Sequence, residues 1–430
     1  MTRRLILAYA FLLPFEGVFG LTTFFRAYRI VGVLLIVIWL MKGARIRLDS
    51  FDAAFVLIIA LGLAMAGFWI IVRGSGEFGW ALSDTALMLF GFGVYLVVKN
   101  EFRDLGDVEP VLSAFVLGTV ISIVLSLYSQ GFETARFEGF YANANRLALA
   151  AGASAVIIAA KLRFAPAAQW FRWYVAYGAG FLICVLALIF AGAHGGLIAL
   201  GAALLAFLML SLRARSARRR QMGTSLARAA GILLVVVIGV SVVNTVFVEF
   251  GNRAPGVSRL TLPLNQSAST RADLLQGGWN VAVDHYLVGA GTAQYRFLNR
   301  GALARLSNLQ NPTLAENNLG THNDYLNLLT AGGIAALLLY VFILVRLCKG
   351  LARRMRALRR QMSTMTAVCL PLLVFVMVGG ASAIWIISPE YWLIMAVLII
   401  GARDYLGSSS QAARSPALEH LARAPRQPAS

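Results

Sequence analysis

Twelve apolar segments of membrane-spanning length restrict what this sequence can fold into. A helix needs about 20 largely apolar residues to cross a bilayer, at a rise of about 1.5 Å per residue. Segments that meet or nearly meet this requirement lie at about 5–21, 28–42, 51–72, 80–98, 109–129, 143–161, 173–191, 195–212, 227–248, 322–345, 364–386 and 389–403. The composition agrees, since 59% of the 430 residues are hydrophobic, 13% are charged and the mean hydropathy is +0.74. We therefore predict an all-α membrane protein of about twelve transmembrane helices.

The basic residues lie in alternate connections between these segments, which indicates an orientation. A net charge of +19 would suggest nucleic-acid binding in a soluble protein, but here it follows the membrane topology. The connections concerned contain Lys42, Arg45, Arg47, Lys99, Arg103, Lys161, Arg163, Arg213, Arg215, Arg218, Arg219, Arg220, Arg346, Lys349, Arg353, Arg354, Arg356, Arg359 and Arg360. By the positive-inside rule these connections and both termini are cytoplasmic in a bacterial inner membrane, and we expect no nucleic-acid partner.

All four lysines lie on that side, so the fixed positive charges of the outer face are arginines. This bias reflects either an arginine-rich composition or a need for guanidinium groups, which bind two phosphate or carboxylate oxygens at once.

The chain divides into four parts by this pattern. Residues 1–248 hold the first nine segments, and residues 322–406 hold the last three. Between them, 249–321 is a long polar stretch on the outer, periplasmic side, which contains helix signals of its own and is long enough to be functional. Residues 407–430 are rich in Ser, Ala, Pro and Arg, and we predict a disordered cytoplasmic tail.

A polar tetrapeptide, Thr321 to Asp324, directly precedes the tenth segment. We predict a helix start at which Thr321 accepts from the backbone N–H three residues on and Asp324 reaches back, a variant of the capping box. A cap needs no histidine, and histidine is the usual proton-transfer side chain near neutral pH. His322 is therefore a candidate catalytic base, the alternative being that the four residues only cap the helix.

The long polar stretch repeats this arrangement at Thr270 and Arg271. The apolar residues that follow recur at helical spacing: Leu274, Leu275, Trp279, Ala282, Val283 and Tyr286. We predict an amphipathic helix on the membrane surface, with its apolar face against other helices or lipid. Arg271 would lie in the first turn, where a cation opposes the helix dipole unless an anion such as phosphate binds beside it.

Two further groups lie at predicted outer ends of the segments. Asn143 is a candidate N-cap, which places Arg146 in a first helical turn. Arg136 and Arg146 either bind an anion or pair with Glu138. His194 lies in a tight glycine-containing turn between the seventh and eighth segments, which is equally compatible with packing and with ligand contact.

Several kinds of site are not expected. No His-x-x-x-His or Cys-x-x-Cys pair occurs and the histidines are scattered, so we predict a metal-independent site without a cofactor. No glycine loop with Lys and Ser/Thr indicates nucleotide binding. Cys184, Cys348 and Cys369 lie within or beside apolar segments, which argues against a structural disulfide. Arg3 and Arg4 precede a short apolar run, but no small-residue cleavage site follows, so we predict an uncleaved first helix.

From about Arg136 to the tenth segment the chain resembles the bacterial O-antigen ligase and polymerase superfamily of membrane glycosyltransferases. The residues that carry the resemblance form three groups. They are His322, Asn323, Asp324, Tyr325, Leu326, Leu329, Gly332, Gly333 and Ile334; then Arg271, Trp279, His285, Gly289, Ala290 and Gly291; and Arg136, Gly139, Asn143 and Asn145. One departure is Ala193-His194-Gly195, where relatives often have Ser-Arg-Gly, so that His194 would replace an arginine as a phosphate contact.

The resemblance implies glycan transfer in the periplasm from an undecaprenyl-diphosphate carrier to a sugar hydroxyl. In the ligase the acceptor is the lipid A core oligosaccharide. The resemblance also implies that His322 takes the proton of the acceptor hydroxyl and that the arginines hold the diphosphate, with inversion at the anomeric carbon if no covalent intermediate forms. The residues that it implies as contacts to the diphosphate or the substrate are Arg271, Arg136, Arg146, His194, Asn143, Asn145, Asn323, Asp324, Trp279 and His285.

Two rival functions remain open. The polymerase of the same superfamily joins repeat units to one another, and the segment count and the position of the long loop favour the ligase. A transporter or lipid flippase would need charged residues inside its spans, and here they are nearly absent.

Overall fold

The computed structural model describes residues 1–17, 26–43, 46–74, 78–130, 137–141, 143–164, 170–215, 264–304, 320–357 and 364–412. The described residues form α-helices joined by turns, two short 3-10 helices and no strand. The helices are α1 (Thr2–Leu12), α2 (Ala27–Met41), α3 (Ser50–Arg73), α4 (Phe78–Glu101), α5 (Leu105–Gln130), α6 (Ala144–Phe164), α7 (Trp170–Phe190), α8 (His194–Arg215), α9 (Leu264–Asp284), α10 (Gln294–Ala304), α11 (Asp324–Ala357), α12 (Thr364–Gly380) and α13 (Pro389–Ala412). The predicted all-α class is confirmed.

Six of the described helices are long and apolar enough to cross a membrane: α3, α4, α5, α6, α8 and α11. Three apolar helices are shorter, α2 and parts of α7 and α12. Helix α1 ends at Leu12 and passes into a 3-10 turn that contains Pro14, so it is shorter than the predicted first span. The predicted ninth span, 227–248, lies outside the described residues, as do 249–263 and 305–319 of the long polar stretch.

Local sequence signals set the ends of α3. The Asp49 side chain accepts from the backbone N–H groups of Phe51 and Asp52, and Asp52 accepts in return from Asp49, which forms a capping box. Gly74 closes the helix in the left-handed conformation, with φ +60°.

Helices α6 and α13 occupy the centre of the bundle. Every residue from 147 to 161 and from 388 to 402 is buried, so both helices are covered on all sides. The candidate site is built where these two helices begin. Helix α13 continues to Ala412, and it therefore includes the first residues of the segment from 407 that was predicted to be disordered.

Side-chain contacts sort the described helix ends into two groups. At one end, Lys99 pairs with Asp52, Arg403 with Asp49, and Lys42 donates to Thr2. Contacts at the opposite end join the start of α6 to the start of α13 and to the segment before α11. This grouping agrees with the predicted alternation of sides. It also changes the interpretation of Lys99, which is a buried partner of Asp52 inside α4 and not a loop residue.

Helices α9 and α10 form a hairpin that packs on one side against α11, α3 and α4. Helix α9 runs parallel to the first part of α11, because Gly278 packs on Leu326 and the Ile334 N–H donates to the Leu287 carbonyl oxygen (2.9 Å). Beyond α9 the chain reaches the middle of α3, where the Thr292 N–H donates to the Gly62 carbonyl oxygen (2.9 Å). Helix α9 thus runs along α11, and the predicted orientation on the membrane surface is wrong. Of its predicted apolar face, Leu274 and Ala282 are buried, whereas Leu275, Trp279, Val283 and Tyr286 are exposed.

The hairpin turn fits into a break in α11. Gly332 and Gly333 have non-helical backbone angles, which frees the carbonyl groups before them. The N–H groups of Ala290 and Gly291 donate to the carbonyl oxygens of Thr330 (2.7 Å) and Ala331 (2.9 Å). The irregular backbone of both segments is thus satisfied inside the protein, as an apolar environment requires.

Helix α10 then leads the chain back along α4. The Arg296 guanidinium pairs with Asp84 (3.3 Å) and lies over the Trp80 ring at 5.7 Å. The hairpin has a small core of its own, formed by Val281, Ala290, Tyr295 and Ala302. Both of its helices are therefore fixed to the bundle.

Candidate functional site

His322 lies at the start of α11 in an unusual backbone conformation, with φ +49°. A positive φ is uncommon for a residue with a side chain, and such residues persist where the surroundings hold them. The cap of α11 differs from the prediction. Asn323 is the N-cap, since its side-chain oxygen accepts from the Leu326 N–H (3.0 Å), whereas the Thr321 hydroxyl donates to the Asn323 carbonyl oxygen (3.0 Å). The predicted capping by Thr321 and Asp324 is wrong.

Asn145 brings the start of α6 to the histidine. Its side-chain amide nitrogen lies 3.3 Å from the His322 Nδ1 atom, between residues 177 apart in sequence. Asn143 caps α6 as predicted, because its side-chain oxygen accepts from the Asn145 N–H (2.8 Å) and the Arg146 N–H (3.4 Å). The cap directs the first turn of α6 toward the segment before α11, and two of the predicted site residues meet there.

Asp324 is fully buried and holds the segment before α13. Its Oδ1 atom accepts from the N–H groups of Trp385 (2.8 Å) and Ile386 (3.1 Å). The Asn323 side-chain amide donates to the Ala381 carbonyl oxygen (2.9 Å). Asn323 and Asp324 are both predicted to bind substrate. Their contacts attach the chain directly after His322 to the connection between α12 and α13.

Arg146 belongs to a buried ion cluster. Its guanidinium donates to Glu16 and to Glu390 (2.9 Å), and Glu16 also pairs with Arg26. Both carboxylates are buried. The cluster contains two arginines and two glutamates, so its formal charges cancel. The predicted alternative of a pair with Glu138 is not what the structure has. Because two carboxylates already bind Arg146, we assign it to holding α1, α6 and α13 together.

Helix α9 starts at Leu264, so the predicted start at Thr270 is wrong. Arg271 consequently lies in the interior of α9 and not in its first turn. Seven residues, or nearly two full turns, separate it from Gly278, so both residues lie on the face that meets α11. Gly278 is level with Leu326, and the parallel course of the helices carries residue 271 beyond the start of α11, toward the segment that contains His322.

The remaining predicted residues lie around this centre or apart from it. Trp279 is 53% exposed, on the face of α9 opposite to α11. His285 is buried at the hairpin turn, where its Nδ1 atom lies 2.8 Å from the Val281 carbonyl oxygen and its ring packs edge-on against Trp69 at 5.0 Å. It packs within the hairpin turn and lies about three turns of α11 away from His322.

His194 begins α8 after the predicted tight turn, in which Gly192 has φ +58°. Gly196 packs against Ala148 near the start of α6, so His194 lies at the same end of the bundle as Asn145. Arg136 lies outside the described residues.

Sequence reasoning missed Glu16, Glu390 and Trp385, which all contact predicted site residues. Glu16 carried one usable signal, since an ionisable residue at the end of an apolar span is by default functional or structurally paired. Glu390, at the start of the predicted span 389–403, carried the same signal. Trp385 stands in an apolar run without a motif, and nothing in the sequence relates it to positions 145 and 324.

Comparison with known proteins gives one family. Residues 179–341 match the family model described as O-antigen ligase, a segment that runs from within α7 into α11 and includes His194, Arg271, His285 and His322. The match covers less than half of the chain, and Asn143, Asn145 and Arg146 lie outside it. No curated protein matches the chain. Residues 179–341 of the chain are thus similar to the O-antigen ligase family, and with the apolar helices this match supports a multi-pass membrane protein of the O-antigen ligase/polymerase superfamily.

Proposed function

We propose that the chain is an O-antigen ligase. It transfers a glycan from undecaprenyl diphosphate to a sugar hydroxyl of the lipid A core, at the periplasmic face of a bacterial inner membrane. Twelve spans place both termini in the cytoplasm, and the reaction needs no metal or cofactor. The observation that carries the proposal is the contact between Asn145 and His322, two residues that the sequence selected independently.

His322 is the general base. A neutral imidazole accepts a proton at one nitrogen while the other carries hydrogen. The Asn145 amide faces Nδ1, and rotation of the amide presents its oxygen to an Nδ1–H group. In that arrangement Nε2 carries the lone pair that accepts the proton of the acceptor hydroxyl.

The reaction is a single displacement. The acceptor oxygen forms a bond to the anomeric carbon of the glycan while the bond from that carbon to the diphosphate oxygen breaks. The hydroxyl proton passes to Nε2 of His322, and the electron pair leaves with undecaprenyl diphosphate. One displacement without a covalent intermediate inverts the anomeric configuration.

Arg271 binds the diphosphate. Its place on the face of α9 that meets α11 supports this role, because the parallel register brings position 271 toward the segment of His322. A guanidinium there stabilises negative charge as the diphosphate leaves. His194, at the same end of the bundle, contributes a further contact to the donor, and Arg136 is predicted from the sequence to contribute another.

The buried charges argue against an ion-coupled carrier. The buried charges that the structure describes in α3, α4, α6, α11 and α13 stand near helix ends: Asp52 in the first turn of α3, Asp84 in the second turn of α4, Lys99 and Lys161 in the last turns of α4 and α6, and Asp324 and Glu390 at the starts of α11 and α13. All of these but Asp324 have an ionic partner, and Asp324 accepts from two backbone N–H groups. A transport pathway needs ionisable groups that are accessible along the middle of the spans.

Glycan transfer by purified protein in lipid nanodiscs tests the proposal. The donor is a glycan linked to undecaprenyl diphosphate and the acceptor is lipopolysaccharide core, with and without a chelator. We expect His322→Ala and Arg271→Ala each to lower transfer by about 10² or more, as the loss of a general base or a charge-stabilising donor does. Arg353→Ala, on the opposite end of α11, is the control and should keep wild-type transfer.

Normal transfer by the His322 variant would remove the assignment of the base, and inhibition by the chelator would remove metal independence. A deletion strain separates the two glycan reactions. Core-only lipopolysaccharide together with full-length carrier-linked polymer indicates the ligase, whereas accumulation of single repeat units indicates the polymerase.

A further inference from the structure

Trp385 links the two elements that meet at His322. Its backbone N–H donates to the carboxylate of Asp324 (2.8 Å). Asp324 lies two residues after the histidine in the chain. The indole N–H of the same residue donates to the backbone carbonyl oxygen of Asn145 (3.1 Å), whose side chain lies against the imidazole. Trp385 therefore contacts both elements that position His322, the start of α11 through Asp324 and the start of α6 through Asn145.

The position of Trp385 is itself firmly set. The side chain is fully buried, and its ring stacks on Phe375 at 5.1 Å with an interplanar angle of 25°. The ring also lies directly on the backbone of Gly379, where a Cβ atom would overlap it. Close packing of this kind leaves the indole little freedom to follow a displaced partner.

Neighbouring contacts act in the same direction. The Ile386 N–H donates to Asp324 (3.1 Å), and Asn323 donates to the Ala381 carbonyl oxygen (2.9 Å). The α12–α13 connection, residues 381–388, thus holds the chain after His322 at three points. Since the backbone of His322 is in the uncommon positive-φ region, it depends on such external contacts to keep its geometry.

We propose that Trp385 is a positioning residue for His322. Through its indole N–H it fixes the first turn of α6, so that the Asn145 amide meets Nδ1 and the other imidazole nitrogen faces the acceptor. The inference rests on the proposed function, because it gives His322 a catalytic orientation to keep. Sequence alone could not supply it, since residues 145, 322 and 385 meet only in the folded chain.

The test is Trp385→Phe, which removes the indole N–H and keeps an aromatic ring. The chain offers a matched control in Trp392, which is also fully buried but whose indole N–H has no hydrogen-bond partner in the part of the chain that the structure describes. We expect Trp385→Phe to lower kcat at least about 10-fold, since misplacement of a reacting group by about 1 Å costs up to 10²-fold. The KM for the lipid-linked donor should stay within about twofold, and Trp392→Phe should change neither value by more than about twofold.

A second readout does not depend on activity. With ¹³C-labelled histidine, the ring signal of His322 is assigned by its loss in His322→Ala. This signal should move in Trp385→Phe and stay in place in Trp392→Phe. If Trp385→Phe does not fold, benzothienylalanine at 385 and at 392 keeps the two-ring shape and removes only the N–H group.

The outcomes separate the two proposals. If His322→Ala is inactive but the 385 and 392 variants have equal kcat and an unmoved His322 signal, the positioning role is overturned and the proposed function stands. If the wild-type protein transfers no glycan, the proposed function falls; if His322→Ala transfers glycan normally, the assignment of His322 as the base falls. A moved His322 signal in Trp385→Phe would then still support the structural link while removing its catalytic meaning.

Discussion

The contact between the hairpin turn and the middle of α3 leads to a sharp prediction for Gly62→Ala. A Cβ atom at Gly62 would overlap the Thr292 hydroxyl, whereas the next atoms, Cβ of Thr292 and Cβ of Ala331, lie at ordinary distances of 3.6 and 3.8 Å. Overpacking of a closed site costs about 1–3 kcal/mol. We therefore expect Gly62→Ala to be destabilised by this amount, or about 5–150-fold in the unfolding equilibrium.

The structure also predicts a rescue. Thr292→Ala removes the hydroxyl and leaves the Cβ at 3.6 Å, so the double variant Gly62→Ala/Thr292→Ala should recover about 1–3 kcal/mol relative to Gly62→Ala. Gly67→Ala, in the same helix, is the control. A Cβ there would meet nothing within 4 Å, and the change should be neutral or stabilising by up to about 1 kcal/mol.

Thermal unfolding of the purified variants in detergent, followed by tryptophan fluorescence, measures the stabilities. Glycan transfer measures the effect on the site, because the hairpin carries Arg271 and should be displaced in Gly62→Ala. Equal stability of the Gly62 and Gly67 variants would refute the hairpin packing. A Gly62→Ala variant that Thr292→Ala does not rescue would refute the stated cause.

Three further changes test other contacts by the same unfolding and transfer measurements. Gly278→Leu would collide with Leu326 and should separate α9 from α11, so that transfer falls at least about 10-fold; full activity would contradict the parallel register. Arg146→Met leaves the buried Glu390 carboxylate without its arginine and should cost about 3–5 kcal/mol, of which Arg146→Met/Glu390→Gln recovers part; no recovery would argue against the ion cluster. Asp324→Leu leaves two backbone N–H groups without an acceptor and should cost about 2–6 kcal/mol, whereas Asp324→Asn keeps an oxygen there and should cost less; equal costs would count against those hydrogen bonds.

The sequence predicted most helices of the bundle correctly because length and apolarity are properties of a single segment. Boundaries with strong local chemistry were also predictable, as for the cap at Asn143. Boundaries failed where two local signals competed. Thr270 resembles a helix start, but the preceding residues from Leu264 are already helical. Thr321 is a good capping residue, yet Asn323 lies one position before the first helical residue and takes the cap.

Individual residues of the candidate site could be predicted from the sequence, but their spatial arrangement could not. His322 stood out because its residue type suits proton transfer at a helix start, and Asn145 entered through the family resemblance; the structure brings them together. Arg146 stood out as a cation in a first helical turn, but its partners are Glu16, in the segment that follows α1, and Glu390, in α13. The local sequence around a charged residue near a helix start is the same whether that residue binds a ligand or pairs with a buried carboxylate. Only the residues that surround it in the folded protein distinguish the two cases.

The amino-acid sequence by itself determined that this chain is a bundle of apolar helices with its polar chemistry at their ends, because a bilayer imposes that pattern on each segment separately. The tertiary structure alone decided that the Gly289–Gly291 turn enters the break at Gly332 and Gly333, and that Trp385 connects α6 to α11. These contacts join residues far apart in the chain, and their free energy depends on shape and hydrogen-bond geometry that arise only when the helices pack.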